Sequence, residues 1–288
     1  MTSPSSPPEV LLRATCRARA LRGQALVVKL GGSAMEDPAA TRGTLESVVA
    51  LQTLGVRLVL VHGGGKPIDR AMAAAGLEPR KVAGRRYTDD ATLKIVVEVL
   101  RDGINTQIVT RLRELGGKAA GLPNVLVGQQ LELPGDDGRP IDLGRVGRPT
   151  QVDVELIGSY LDGQFVPVIP SLALEPFGGG WLNVNADTAA SAVAGALKAE
   201  ACYFLTDTPG VLRDVNDPAS LIRRLTRAEC EHLIRDGMIA GGMIPKVEAC
   251  FEALDAGAGR AVILDGRKPH ALLGEFVSEN LTGTVIVN

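Results

Sequence analysis

Two lysines sit where stability alone does not favour them, and one aspartate stands where it could orient them. Lys29 lies inside the apolar run at residues 25–30, directly before Gly31-Gly32. A lysine inside such a strand is costly unless an anion answers it. Lys246 falls in the first turn of a helix opened by Gly241-Gly242-Met243-Ile244-Pro245. A cation there opposes the helix dipole, and gains only if an anion binds between it and the helix end. Asp187 closes the stretch Asn183-Val184-Asn185-Ala186-Asp187 at the start of a further helix, a place that an ordinary N-cap would also explain. Two cations and one orienting carboxylate are what phosphoryl transfer asks of a protein, since positive charge must meet the transferring oxygens and no covalent intermediate is needed. The plain alternative for Lys29 is an edge strand that turns it to solvent.

Two strands end in consecutive glycines, at Gly31-Gly32 and at Gly63-Gly64-Gly65. A glycine turn between strand and helix lets backbone N–H groups approach an anion closely, and the helix dipole favours that anion. In an open parallel sheet both turns face the crevice beyond the carboxyl ends of the strands. Glycines that only make tight turns are the alternative. Gly116-Gly117-Lys118 is followed by Ala119, so no P-loop is present, and no G-x-G-x-x-G follows the first strand. A P-loop ATPase and a dinucleotide-binding dehydrogenase are both disfavoured.

The elements that must hold these residues alternate. Strands are expected at 25–30, 56–61, 165–170, 201–206 and 261–264, and helices at 39–54, 67–76, 90–115, 187–198, 226–236 and 244–257. Residues 121–162, rich in Gly, Pro and Asp, read as hairpins and loops. The alternation predicts an α/β fold with a central, mainly parallel sheet covered on both faces. The chain of 288 residues reads as an N-terminal tail and helix (1–23) and one domain (24–288). Within that domain we expect an acidic-substrate lobe at about 24–180 and a nucleotide lobe at about 181–288.

Composition excludes several classes. Lys plus Arg number 31 against 33 Asp plus Glu, a balance that speaks against a nucleic-acid binder. No apolar stretch approaches the roughly 20 residues of a membrane span. Cys16, Cys202, Cys230 and Cys250 show no CxxC spacing, so no metal site is expected and buried free thiols fit a reducing, cytoplasmic compartment. The N-terminus allows two readings. Residues 1–8 read as disordered, and Arg13, Arg17, Arg19 and Arg22 without an acid between them also suit an organelle transit peptide. The favoured reading is a tail followed by a helix with Leu11, Ala14, Ala18 and Leu21 on one face.

Six motifs then occur in order: Val28-Lys29-Leu30-Gly31-Gly32-Ser33, His62-Gly63-Gly64-Gly65, Gly84-Arg85-Arg86-Tyr87-Thr88-Asp89, Asn183 to Asp187, Thr206-Asp207-Thr208-Pro209-Gly210-Val211-Leu212, and Gly241 to Lys246. Together they resemble the amino-acid kinase family, and within it the acetylglutamate kinase branch, from about residue 24 to the C-terminus. The resemblance implies a three-layer α/β/α sandwich like that of carbamate kinase. It also implies ATP-dependent phosphorylation of the side-chain carboxylate of N-acetyl-L-glutamate to an acyl phosphate, in arginine biosynthesis. A kinase for a related acid such as acetylaminoadipate, or a non-catalytic regulatory homologue, is the alternative.

The resemblance implies residue roles as well. Lys29 and Lys246 would stabilise the transferring group, with Asp187 holding both lysines. Gly31, Gly32 and Gly64 would offer N–H groups to the phosphates and the attacking carboxylate, with Gly65 beside them. Arg86 and Asn183 would bind the substrate's carboxylates. Thr206, Asp207, Gly210 and Leu212 would border the ATP, whose Mg2+ belongs mostly to the phosphates. Three departures stand out: Lys66-Pro67 after the triple glycine, Pro123-Asn124-Val125 after Gly121-Leu122, and Arg17 where the N-terminal helix of the arginine-inhibited, hexameric members has an aromatic residue. The helix itself implies arginine as an inhibitor and a homo-oligomer, dimer or hexamer.

Overall fold

Strands of Val, Leu, Ile and Ala alternate side chains between two faces, and in this chain both faces are apolar, as a sheet buried on both sides requires. The computed structural model describes residues 6–135 and 139–288. Eight strands form one sheet in the order Arg224–Thr226, Thr284–Val287, Ala261–Asp265, Ala201–Thr206, Ala25–Leu30, Arg57–His62, Val166–Pro170 and Ala119–Gly121. Every pairing is parallel except that of Thr284–Val287 with Ala261–Asp265.

Residue parity divides the core. Val27, Val59, Val61, Ile169, Cys202, Phe204 and Ile263 face one way, against helices Val154–Asp162, Ala186–Ala196 and Ile244–Asp255. Leu26, Val28, Leu30, Leu58, Leu60, Val168 and Leu205 face the other, under helices Pro38–Thr53, Thr106–Glu114 and Ala271–Val277. The result is the expected α/β/α sandwich. Lys29 shares the parity of Val27, so it points toward the face covered by the helix that carries Asp187. Its strand lies between Arg57–His62 and Ala201–Thr206. The edge-strand reading is therefore excluded.

A smaller closed sheet sits beyond the main one. It consists of Leu126–Gln130, Val146–Val152, Gly180–Val184 and Leu172–Glu175, and brings Asn183 beside Val146 and Leu172. A short antiparallel ladder pairs Lys81–Val82 with Arg85–Arg86.

Several expectations need correcting. Residues 121–162 contain the expected hairpin but also the helix Val154–Asp162, capped by Asp153, whose side chain accepts from Leu156 N at 2.9 Å. The strands at Arg224–Thr226 and Thr284–Val287 and the helix Ala271–Val277 were not anticipated, because each is short and its apolar run is brief. The helix expected at 90–115 holds a π-helical segment, Glu98–Asn105. The N-terminal helix begins at Pro7, inside the stretch expected to be disordered, and residues 1–5 of that expectation lie outside the described residues. Its inner face is Ala14, Ala18 and Leu21, whereas Leu11 is 64% exposed. Cys202, Cys230 and Cys250 are buried and free, and Cys16 is exposed. No helix among the described residues is long and apolar enough to cross a membrane.

The helices that carry Asp187 and Lys246 approach each other through Gly195. A Cβ on Gly195 would lie 2.3 Å from the Ala256 Cβ and 2.4 Å from its carbonyl oxygen. Gly195→Ala should therefore lower stability by about 2 kcal/mol, the overpacking cost exceeding the ~1 kcal/mol of helix propensity gained. Denaturant unfolding checks this. An unchanged midpoint would mean that the two helices separate freely.

Candidate active site

A cleft of about 250 Å³ opens where the carboxyl ends of the central strands meet the smaller sheet. It brings together Lys29, Gly31, Gly32, Gly64, Gly65, Arg86, Asn183 and Asp187 from the sequence reading. Lys29 Nζ lies 2.7 Å from Asp187 Oδ1, and the lysine side chain is 12% exposed. The N-cap of the Ala186–Ala196 helix is Asn185, whose side chain accepts from the N–H groups of Asp187 at 2.8 Å and Thr188 at 3.2 Å. Asp187 is thus released from capping and left to meet the lysine.

Both glycine turns owe their composition to close approach, not to unusual dihedrals. A Cβ on Gly31 would sit 2.8 Å from the Leu205 carbonyl and 3.0 Å from Lys29 Nζ, and one on Gly64 would strike Leu100 at 2.7 Å. Gly31 and Gly64 are the N-cap residues of helices Gly32–Glu36 and Gly65–Ala74, and neither offers a capping side chain. Their first-turn N–H groups remain available to an anion. Lys66 Nζ reaches Glu36 Oε2 at 2.5 Å, so this departure from the family pattern ties the two turns together. Leu122 and Val125 are core residues, and the altered stretch at 123–125 does not line the cleft.

The motif around Arg86 divides its labour. Arg86 Nη1 meets Asp69 Oδ1 at 2.6 Å, and Nη2 donates to the Gly65 carbonyl at 3.3 Å. These contacts hold the guanidinium against the second turn. Thr88 Oγ1 accepts from Asn183 Nδ2 at 3.0 Å and donates to the Arg86 carbonyl at 2.9 Å. Asp89 caps the next helix through Thr92 N at 2.8 Å. Sequence reasoning passed over Arg85 and Ser171, which also line the cleft. Arg85 was legible as a second arginine in the motif; Ser171 follows a strand with no spacing signal. With Lys29, Arg85 and Arg86 against Asp187, the lining favours anions.

Thr206, Asp207, Gly210 and Leu212, expected to border a nucleotide, and Lys246 are not among the residues that line this cleft. Thr206 ends the strand next to that of Lys29, with Leu30 paired to Leu205. Lys246 forms its ion pair with Asp207, not with Asp187. The Lys246 ammonium holds the Asp207 carboxyl below the usual range. So the structure gives each lysine its own carboxylate, where the resemblance implied one for both.

His62 underlies the second turn. It is fully buried, and burial drives its pKa down to about 4. Asn105, from the π-helical segment, directs Nδ2 to His62 Nε2 at 3.1 Å and to the Val168 carbonyl at 2.9 Å. Nε2 therefore accepts, and the Nδ1–H donates to the Gly63 carbonyl at 3.2 Å. Gly121 makes room, because a Cβ there would lie 2.2 Å from Asn105 Oδ1.

A parallel sheet that places a lysine–carboxylate pair and two uncapped glycine turns at one cation-lined crevice defines a phosphoryl-transfer scaffold, and the chain belongs to the amino acid kinase family, whose match covers residues 24–265. Among its relatives, the acetylglutamate kinase of Akkermansia muciniphila is 40% identical over 280 residues, 96% of this chain and 94% of that one. The N-acetylglutamate synthase of Neisseria gonorrhoeae, solved with coenzyme A and N-acetyl-glutamate, superposes with a TM-score of 0.85 at 26% identity. That match covers 99% of this chain but 64% of the synthase, less than two thirds of its length. Giardia carbamate kinase shares the fold, with a TM-score of 0.64 at 18% identity over 92% of this chain and 99% of that one.

The burial of neutral His62 has a pH consequence. Its folded pKa of about 4 lies below the ordinary 6.5, so the unfolded chain binds the extra proton. The resulting stability is complete above pH 6.5 and is lost as pH falls toward 4, by up to ~3 kcal/mol at about 1.4 kcal/mol per pH unit. Unfolding free energies of wild type and His62→Gln between pH 7 and 5 should show a steeper decline for wild type. Parallel curves would contradict the assignment.

Proposed function

We propose that the protein transfers the γ-phosphoryl group of ATP to the side-chain carboxylate of N-acetyl-L-glutamate, forming an acyl phosphate in arginine biosynthesis. The observation that carries this is the Lys29–Asp187 pair opening on a cleft lined by Arg86, Asn183 and the two glycine turns. The 40% identity to acetylglutamate kinases over nearly the whole chain supports it.

In this reading Arg86 and Asn183 hold the carboxylates of the acidic substrate, with Gly64 and Gly65 beside them. Asp69 and Thr88 hold Arg86 and Asn183 in turn. The substrate carboxylate attacks the γ-phosphorus in line with the departing ADP oxygen. Lys29 and the N–H groups of Gly31 and Gly32 meet the charge that develops on the transferring oxygens, and Lys246 meets it from the nucleotide lobe. Positioning and charge neutralisation do the work, with no covalent intermediate. Thr206, Asp207, Gly210 and Leu212 border the nucleotide. Among the described residues no group of three or more His, Cys, Asp or Glu converges as a metal cage. In this reading Mg2+ comes with the ATP phosphates, whose charge it neutralises.

Arginine inhibition and a dimeric or hexameric assembly are part of the same proposal. Their motive is the N-terminal helix, which docks through Arg13 on the Val277 carbonyl at 2.7 Å and Arg17 on the Glu275 carbonyl at 2.5 Å. Arginine that changes neither activity nor sedimentation would remove that part.

ADP release with MgATP and N-acetyl-L-glutamate tests the main reading, with glutamate, aspartate and acetylaminoadipate as comparison acids. Lys29→Met should fold normally and lose roughly 10²-fold in kcat, the loss of ~3 kcal/mol of transition-state stabilisation. Near-normal turnover would take Lys29 out of the reaction. For Arg86→Ala the expected result is a raised KM for acetylglutamate with the KM for ATP little changed. An unaltered KM for the acid would end that assignment.

A further inference from the structure

Thr284 stands on the strand Thr284–Val287, far in sequence from every motif above, and is fully buried. Its hydroxyl accepts from the Val211 N–H at 2.8 Å and donates to the Ile222 carbonyl at 2.7 Å. Val211 and Ile222 already face each other, since the Ile222 N–H donates to the Val211 carbonyl at 2.9 Å. The one hydroxyl thus completes the missing rung between them, taking the donor and the acceptor that the backbone leaves over. Beyond that rung, Leu212 and Leu221 form an antiparallel bridge, and Ser220 closes the loop on Asp214 and Asp217. The remainder of the loop is tied mainly to itself.

Gly210 is shaped around the same hydroxyl. Its φ is 139°, and a Cβ there would lie 2.4 Å from Thr284 Oγ1. Such a φ favours glycine, and the close approach leaves no space for a side chain. The segment from Asp207, which pairs with Lys246, to Leu212 is therefore held against the sheet through Gly210 and Val211 at Thr284.

We propose that Thr284 is a positioning residue for the nucleotide: it fixes the Asp207–Leu212 segment at the height from which it meets ATP, without touching ATP itself. The assignment rests on the reading that this segment borders the nucleotide. Thr284→Val keeps the shape and removes the hydroxyl, leaving a buried N–H and a buried carbonyl unpaired. The KM for MgATP should rise about tenfold, while the KM for acetylglutamate stays within about twofold. Thr284→Ser should restore the ATP value. A folded Thr284→Val enzyme with an unchanged KM for MgATP overturns the proposal, as does a serine variant as impaired as the valine one. Should the valine variant not fold, Thr284→Ala against Thr284→Ser makes the same comparison, and equal KM values for MgATP overturn it. Leu212→Glu separates the two failures. If it leaves the KM for MgATP unchanged, the nucleotide reading of the loop is wrong; if it raises that KM while Thr284→Val does not, only the role of Thr284 is wrong.

Discussion

A cation on a central strand must have its charge answered, and the contact between Lys29 and Asp187 answers it. Much of the surrounding structure serves that one distance. The helix bearing Asp187 lies close to the sheet because its inner face is Ala189, Ala190, Val193 and Ala194, side chains small enough to bring backbone near backbone. Asn185 takes over the capping that Asp187 could have done. Gly31 yields the space that Lys29 Nζ occupies at the top of the strand. A pair this enclosed contributes little net stability after desolvation, whereas losing one partner would strand the other charge. The arrangement therefore makes better sense as preorganised charge waiting for phosphate than as a device of the fold.

The second glycine turn is fixed by a different economy of contacts. A histidine that remains neutral can both donate and accept, so His62 links the Gly63 carbonyl to Asn105, and Asn105 links onward to the Val168 carbonyl. The π-helical segment matters here because it supplies Asn105 at its last residue. Irregular helix of this kind recurs where a side chain must be aimed. Lys66 and Glu36 then connect this turn to the first one across the crevice mouth. The two turns are thus positioned by groups that do not themselves line the cleft.

Most of the fold was legible because long runs carry their own periodicity. The strands at Ala25–Leu30 and Ala201–Thr206 were read at their observed bounds. What escaped were elements whose identity depends on partners distant in sequence. Arg224–Thr226 is a strand because it pairs with Thr284–Val287 at the sheet edge, and Thr284–Val287 pairs in turn with Ala261–Asp265. The Lys29–Asp187 contact was legible because a lysine inside an apolar strand asks for an anion. The site was illegible wherever a residue acts through geometry alone. Asn105 looks like any polar helix residue, and Thr284 like any strand threonine. Arg85 was hidden differently, in a motif whose next residue attracted the assignment. The pairing of Lys246 could not have been read at all, since Asp187 and Asp207 are both near a helix or strand end and only the fold chooses between them.

That choice gives the two lysines different freedom. Lys29 and Asp187 have side chains 12% and 31% exposed, whereas Lys246 and Asp207 are 21% and 58% exposed. An ion pair with a half-solvated carboxylate is worth on the order of 1 kcal/mol or less, so little opposes its rearrangement. Lys246 can exchange Asp207 for a phosphate oxygen at small cost, while Lys29 must accept phosphate as an additional neighbour of a pair already in place. In the proposed function, one lysine is then a fixed feature of the crevice and the other is recruited by the nucleotide. On that reading the tether of the Asp207 segment to the sheet keeps the partner of Lys246 near, yet outside the cleft proposed for phosphoryl transfer.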